Sequence, residues 1–121
     1  MSDEKDWEEM CRRLVRWDEN RMRSEGNNTE DLVLKMEIRE DDSWGRWDDP
    51  WGRWIVKIVF GNEVVLRSHR GKEKKQALLR MVWSYAFRHK FLDLDMRNYE
   101  EDLENPGIYE ELDLKLSSFG F

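Results

Sequence analysis

Apolar residues recur at helical spacing near the start of the chain. Trp7, Met10, Cys11, Leu14 and Val15 follow the three- and four-residue spacing of one helix side, and most residues between them are charged. Such a stripe is typical of a helix that packs one side against a core. We predict a helix from about residue 5 to about residue 23, ended by the Gly and Asn residues at 26–28.

The next part of the chain carries the signals of three β-strands. Between residues 32 and 38 every second residue is Leu, Met or Ile, which is the pattern of a half-buried strand. Residues 54–60 are strongly β-prone, and a second β-prone run at 63–67 follows the pair Gly61-Asn62. A Gly-Asn pair between two such runs predicts a hairpin.

A long helix is predicted from Arg67 to Leu92. Its body has two apolar stripes, which consist of Leu78, Met81, Val82 and Tyr85 and of Leu79, Trp83, Phe87 and Phe91. A surface helix needs only one apolar side. We therefore expect a sheet to cover one side of this helix and the C-terminal segment to cover the other.

The C-terminal part predicts a short acidic helix at 95–105, which Pro106-Gly107 ends. After it, Leu112, Leu114 and Leu116 alternate with polar residues, as in a strand or an extended arm.

The fold class predicted from this order is α+β. The elements run α-β-β-β-α, with a three-stranded antiparallel sheet packed on two helices, plus a C-terminal acidic helix or extended arm. The length suits a single domain over residues 1–121. We expect its core in residues 7–92 and an extension in residues 93–121.

Charge is divided unevenly along the chain. The 121 residues are 40% charged and 39% hydrophobic, with a formal net charge of −6, which is typical of a globular, soluble protein. Residues 67–90 contain eight Lys and Arg against one acid, whereas residues 93–113 contain nine Asp and Glu against one Arg. The net charge argues against unselective binding of nucleic acid, but it hides two oppositely charged surfaces.

The N-terminus and the cysteine content indicate in which cellular compartment the protein is expected. The first ten residues are acidic and lack an apolar run, so they do not resemble a signal peptide. Apolar runs are too short for a membrane span. Cys11 is the single cysteine, so an internal disulfide is excluded, which fits a reducing environment. We expect a cytoplasmic protein, or one in the host-cell cytoplasm if it is viral.

The sequence offers little support for catalysis. Cys11, His69 and His89 lack the spacing of a zinc site, and there is no P-loop or dinucleotide-binding glycine motif. The element order also occurs in PD-(D/E)xK nucleases, but Lys57 and Lys35 lack the acid two residues earlier that such nucleases need. We expect a non-catalytic protein without metal or cofactor.

Two motifs indicate binding instead. Trp44-Gly45-Arg46-Trp47 recurs as Trp51-Gly52-Arg53-Trp54, and Trp and Arg are favoured in recognition surfaces. For the set as a whole, packing in the core or across a hairpin ranks somewhat ahead of recognition, and we expect at least one of the two copies to be exposed. In the second motif, Lys72, Lys74 and Lys75 lie in the first turns of the predicted long helix, where cations oppose the helix dipole at a cost of roughly 0.3–1 kcal/mol each. They are either tolerated solvated lysines or part of a phosphate-binding site.

The segment Gly71-Lys72-Glu73-Lys74-Lys75-Gln76-Ala77, after three strands, resembles the start of the second helix in the double-stranded RNA-binding domain, where Gly-Lys-x-Lys-Lys-x-Ala occurs. The resemblance covers residues 7–92. It implies that the lysines contact phosphates across the major groove, while the first helix and the loop between the first two strands meet successive minor grooves. The candidate nucleic-acid-binding residues are Arg67, Arg70, Lys72, Lys74, Lys75, Arg46 and Arg53, with Trp44, Trp47 and Trp51 in a recognition loop.

The chain departs from this family at three places. Glu73 stands where the family usually has Ser, Leu78 replaces a third lysine, and the family's Gly-Pro-x-His loop is replaced by the Trp-rich segment. A protein-directed inhibitor or adaptor is therefore the alternative, similar in outline to small phage inhibitors of CRISPR effectors, which imitate DNA with an acidic face, or to bacterial immunity proteins. Its partner would be a basic protein, contacted through Asp95, Glu100, Glu101, Asp102 and Glu104.

Overall fold

A computed structural model describes residues 4–25, 33–40, 53–61, 64–104 and 107–121. Its main elements follow the predicted order α-β-β-β-α and are extended by further helices at the C-terminal end. They are α1 (Glu4–Glu25), β1 (Leu34–Glu40), β2 (Trp54–Phe60), β3 (Val64–Gly71), α2 (Lys74–Arg88), a 3-10 helix (Met96–Asn98), α3 (Tyr99–Leu103) and α4 (Gly107–Ser118). The α+β fold class is confirmed. Within the described ranges, no helix is long and apolar enough to cross a membrane.

The sheet is an antiparallel meander in the order β1-β2-β3. Both neighbours of β2 pair along its whole length, so that Trp54 lies opposite Glu40 on one side and Gly71 on the other. Gly61 follows β2 with a φ of +63°, a backbone conformation that glycine adopts without steric cost. The predicted hairpin between β2 and β3 is confirmed.

Helices α1 and α2 cover one face of the sheet. Val56 and Ile58 on that face are fully buried in the same core as Leu14 and Leu78 of the two helices. The opposite face carries the alternate residues of β2, of which Ile55 and Val59 are buried and Lys57 is half-buried. The predicted alternation in β1 is confirmed, because its Leu, Met and Ile side chains face the core.

The prediction of a helix over 67–92 was wrong at its first part. β3 continues to Gly71, and α2 begins only at Lys74. Pairing with β2 over residues 67–71 keeps this segment extended. Within it, Arg67 and His69 lie opposite core residues of β2 and face the helices. Because the side chains of this segment are polar, the sequence shows no apolar alternation that would indicate a strand. The strand is evident only from its pairing with β2.

The C-terminal segment forms a helix rather than the predicted strand or extended arm. Ile108, Leu112 and Leu116 are buried, and their four-residue spacing faces α4 toward α1. Leu114, which completed the apparent alternation, is 72% exposed. Leu112 and Leu116 are four residues apart, a spacing that fits one side of a helix as well as one face of a strand, so the apparent alternation did not distinguish the two. The segment packs on α1, while α3 packs on α2.

Candidate nucleic-acid interface

One end of the molecule gathers parts of all the core elements. The pairing of Trp54 with Glu40 and Gly71 places the end of β1, the start of β2 and the end of β3 side by side. α2 begins three residues after Gly71. The first half of α1 lies at the same end, because Lys74 Nζ is 3.1 Å from Glu8 Oε1. We call this end the lysine end.

Two fixed positions of the lysine motif have a packing role. A Cβ on Gly71 would lie 2.5 Å from the backbone nitrogen of Ala77, which is closer than non-bonded atoms can approach. Ala77 itself is fully buried. Glycine and alanine are therefore required here because the strand end touches the helix start, and only the lysines are left for contacts outside the chain.

The first turn of α2 has cations but no anionic cap. Glu73 occupies the position before the helix in an extended conformation and makes no capping hydrogen bond through its side chain, and the first turn contains no acid. The Lys72 backbone N–H donates instead to Gln76 Oε1 at 2.7 Å. Lys72 is exposed, and Lys74 and Lys75 are half-buried. Cations and backbone N–H groups thus meet at the positive end of the helix dipole, an arrangement suited to an anion.

Glu8 connects the two helices at this end. Its carboxylate accepts a hydrogen bond from Arg12 Nη2 at 3.0 Å and forms an ion pair with Lys74. The pKa of the Glu8 carboxyl lies below its usual range, mainly because of the hydrogen bond from Arg12 and further because of Lys74. The carboxylate therefore stays ionised and offsets part of the positive charge of Arg12 and Lys74.

The remaining predicted cations occupy different positions. Arg53 lies at the lysine end, exposed, 3.6 Å from Glu40. Arg70 lies opposite Ile55 on the face of the sheet away from the helices. Arg46 and the three tryptophans of the predicted recognition loop, Trp44, Trp47 and Trp51, lie outside the described residues.

Arg67, the last of the predicted nucleic-acid-binding residues, does not lie beside the three lysines. Four residues of strand, roughly 13 Å, separate it from Gly71. Its guanidinium lies 4.6 Å from the centre of the Tyr85 ring, and Nη2 is 3.0 Å from His89 Nε2. This half-buried cation packs over the core rather than facing solvent at the helix start.

A buried polar cluster that the sequence did not predict surrounds the hydroxyl of Tyr85, the ring on which Arg67 lies. Asp18 is 3% exposed, accepts a hydrogen bond from the Tyr85 hydroxyl at 3.0 Å and pairs with Arg21 at 2.8 Å. Burial, followed by the Asp18 charge, raises the pKa of Tyr85, so its hydroxyl stays protonated and donates. The available signal was an acid four residues after Leu14 on the apolar stripe.

The predicted acidic face is only partly free. Asp95 Oδ2 accepts from Arg97 Nη2 at 2.8 Å, and Asp102 Oδ2 accepts from the Trp83 indole at 3.0 Å. Glu100, Glu101 and Glu104 are exposed. Two of the five acids therefore have structural partners, and the other three point to solvent.

Further candidates for a reactive site in the described residues are Cys11 and the possible metal ligands. Cys11 is fully buried, and its burial raises the pKa of the thiol, so it behaves as a small apolar residue. In the part of the chain that is described, no group of His, Cys, Asp or Glu is placed to hold a metal ion.

No match to this chain was found among protein-family models, curated proteins or solved structures. What the lysine end can do therefore rests on its own residues.

Proposed function

We propose that the chain binds double-stranded RNA through the lysine end, without catalysing a reaction. The observation that carries this proposal is the placement of Lys72, Lys74 and Lys75 on the uncapped start of α2. Lysines and free backbone N–H groups at a helix start suit phosphate oxygens. A phosphate there would also relieve the unfavourable interaction of the lysines with the helix dipole.

The second contact would come from α1. Arg12 is exposed and lies beside Glu8, which is paired with Lys74. Glu40 and Arg53, the described residues on either side of segment 41–52, lie at the same end. A duplex laid across this end would meet α1 and α2, two of the three contacts that the family resemblance implies for RNA of A-form geometry. The third contact, the loop between the first two strands, lies outside the described residues.

Affinity is expected to be modest and strongly dependent on salt. Glu8, Glu40 and Glu73 lie among the cations of the lysine end, and the net charge of −6 opposes approach of RNA. If the three lysines each neutralise one phosphate, log K should fall with log salt with a slope of about −2 to −3. Contacts to phosphates also predict little dependence on base sequence.

The test is a fluorescence anisotropy titration with labelled RNA and DNA duplexes of equal length at low and physiological salt. We expect saturable binding that prefers RNA and is lost in Lys72→Glu/Lys75→Glu. The matched control is Lys90→Glu/Lys115→Glu, with the same charge change on exposed lysines at the other end of α2. Absence of binding at low salt, or equal loss in both variants, would contradict the proposal.

A second candidate is an inhibitor or adaptor that binds a basic protein. The exposed acids Glu100, Glu101 and Glu104 favour it, because α3 carries acids at three of its five positions and no cation. Such a protein would ignore both duplexes, and Glu100→Lys/Glu101→Lys would abolish capture of its partner while leaving folding unchanged. Binding of RNA that is unaffected by this variant supports the first candidate instead.

A further inference from the structure

A groove lies at the other end of α2 from the lysine end. It encloses about 680 Å³ between the C-terminal end of α2, the residues that follow it, and Lys115 of α4. α2 has 15 residues, so the groove is roughly 20 Å from the lysines. Its volume falls within the roughly 300–1,000 Å³ of small-molecule sites.

The floor of the groove is apolar and held in place by tryptophans. Phe91 is 5% exposed and packs edge-on against Trp17 at 4.6 Å between ring centres. Phe87 is 36% exposed and stacks on Trp83 at 4.9 Å. The half-buried Leu92 and Leu94 complete this surface. An apolar ligand would therefore meet a surface whose rings are already packed.

Three cations surround this floor. Arg88, Lys90 and Lys115 line the groove together with one acid, Asp93. Within the described ranges, none of the three cations forms an ion pair. They are exposed and line the same groove from α2, the residues after it and α4, so an anion in the groove would be attracted by all three.

Lys90 occupies a strained backbone position beside the groove. Its φ is +55°, the one positive value at a non-glycine residue of the described chain. The N–H of Lys90 donates to Phe87 O and that of Phe91 to Ala86 O, the two hydrogen bonds that end a helix at a left-handed residue. Glycine is the ordinary residue there. A lysine keeps a cation at the rim at a conformational cost, and such strain is concentrated at functional sites.

We propose that this groove binds an organic anion, with a carboxylate or phosphate head on an apolar body. The body would lie on Phe87, Phe91 and the two leucines. The head would lie between Lys90 and Lys115, where both cations attract it. A body without charge leaves the cations unpaired, and a small anion without a body leaves the apolar floor in water, so both parts are needed.

The experiment maps amide chemical shifts of the labelled full chain during titration with decanoate and decyl phosphate, below the concentrations at which they form micelles. We expect saturable shifts confined to residues 87–94 and the region of Lys115. Comparison of the two anions shows which head binds more tightly. Acetate and decylammonium are the probes for charge alone and for the apolar body with the opposite charge, and neither should shift these amides.

The variant Lys90→Gly removes the cation while preserving the left-handed residue, so the fold is retained. We expect it to weaken decanoate binding at least fivefold, as should Lys115→Gln on the other element. Lys57→Gln, on the sheet face, is the control and should bind as the wild type does. Equal binding of decylammonium and decanoate, shifts spread over the whole chain, or unchanged affinity in both groove variants would overturn the proposal.

Discussion

Replacement of Tyr85 by phenylalanine tests the buried polar cluster with the smallest possible change. Tyr85 is fully buried and Asp18 is 3% exposed, so water cannot replace the hydroxyl that donates to Asp18 at 3.0 Å. Phenylalanine keeps the ring beneath the Arg67 guanidinium, so the change removes only the hydroxyl with its interactions with Asp18 and Arg67. A hydrogen bond to a charged group contributes about 1.5–3 kcal/mol.

We therefore expect Tyr85→Phe to lower the free energy of unfolding by about 2 kcal/mol, or roughly thirtyfold in the folding equilibrium. In urea, followed by tryptophan fluorescence, the midpoint should fall by about 1 M with an unchanged slope. Tyr99→Phe is the control, because Tyr99 is half-buried and packs edge-on against Trp83, with no hydroxyl hydrogen bond in the described part of the chain. It should cost under about 0.5 kcal/mol.

A double-mutant cycle with Asp18→Asn identifies the partner. If the two side chains interact, the losses of unfolding free energy in the two single variants should add up to about 1–2 kcal/mol more than the loss in the double variant. Additive effects, or a loss in Tyr85→Phe no larger than that in Tyr99→Phe, would refute the hydrogen bond between Tyr85 and Asp18.

Three further contacts give measurable expectations. Gly71→Ala should lower stability by about 1–3 kcal/mol in urea denaturation, because its Cβ would lie 2.5 Å from the Ala77 nitrogen; an unchanged midpoint would show that strand and helix are not in contact. Burial, helped by Arg67, lowers the pKa of His69 from 6.5 to about 4, so below pH 6.5 the unfolded chain binds a proton that the folded chain does not. Stability should fall by about 1–2 kcal/mol between pH 6.5 and pH 4, and His69→Gln should lose this part of the pH dependence; an identical pH profile in the variant would contradict it. Glu8→Gln should raise the affinity for duplex RNA about two- to fivefold, because Lys74 loses its ion pair, and lower affinity would mean that Glu8 positions the lysine for binding.

The lysine motif carried two kinds of information that only the packing separates. Gly71 and Ala77 are required because the end of β3 touches the start of α2. The lysines of the same segment serve no such contact, apart from the pair of Lys74 with Glu8. A match to this short pattern therefore reflects both packing and binding. The variant Gly71→Ala tests the packing, and Lys72→Glu/Lys75→Glu tests the proposed binding.

The sequence alone determined the order of the core elements, because local patterns decide them. The apolar stripe of α1, the alternation in β1, the β-prone run of β2 and the Gly-Asn pair each depend on neighbours within a few residues. The positions of Lys72, Lys74 and Lys75 near the start of a helix also came from local signals, and so did the surplus of acids after residue 93.

Only the tertiary structure decided which distant segments of the chain lie side by side. Residues 67–71 became a strand because β2 pairs with them, and residues 107–118 became a helix because α1 buries Ile108, Leu112 and Leu116. The same packing turned Arg67 inward, placed Glu8 beside Lys74 and assembled the Asp18 cluster from residues 67 positions apart. Such contacts depend on the arrangement of distant segments, which short-range patterns do not specify.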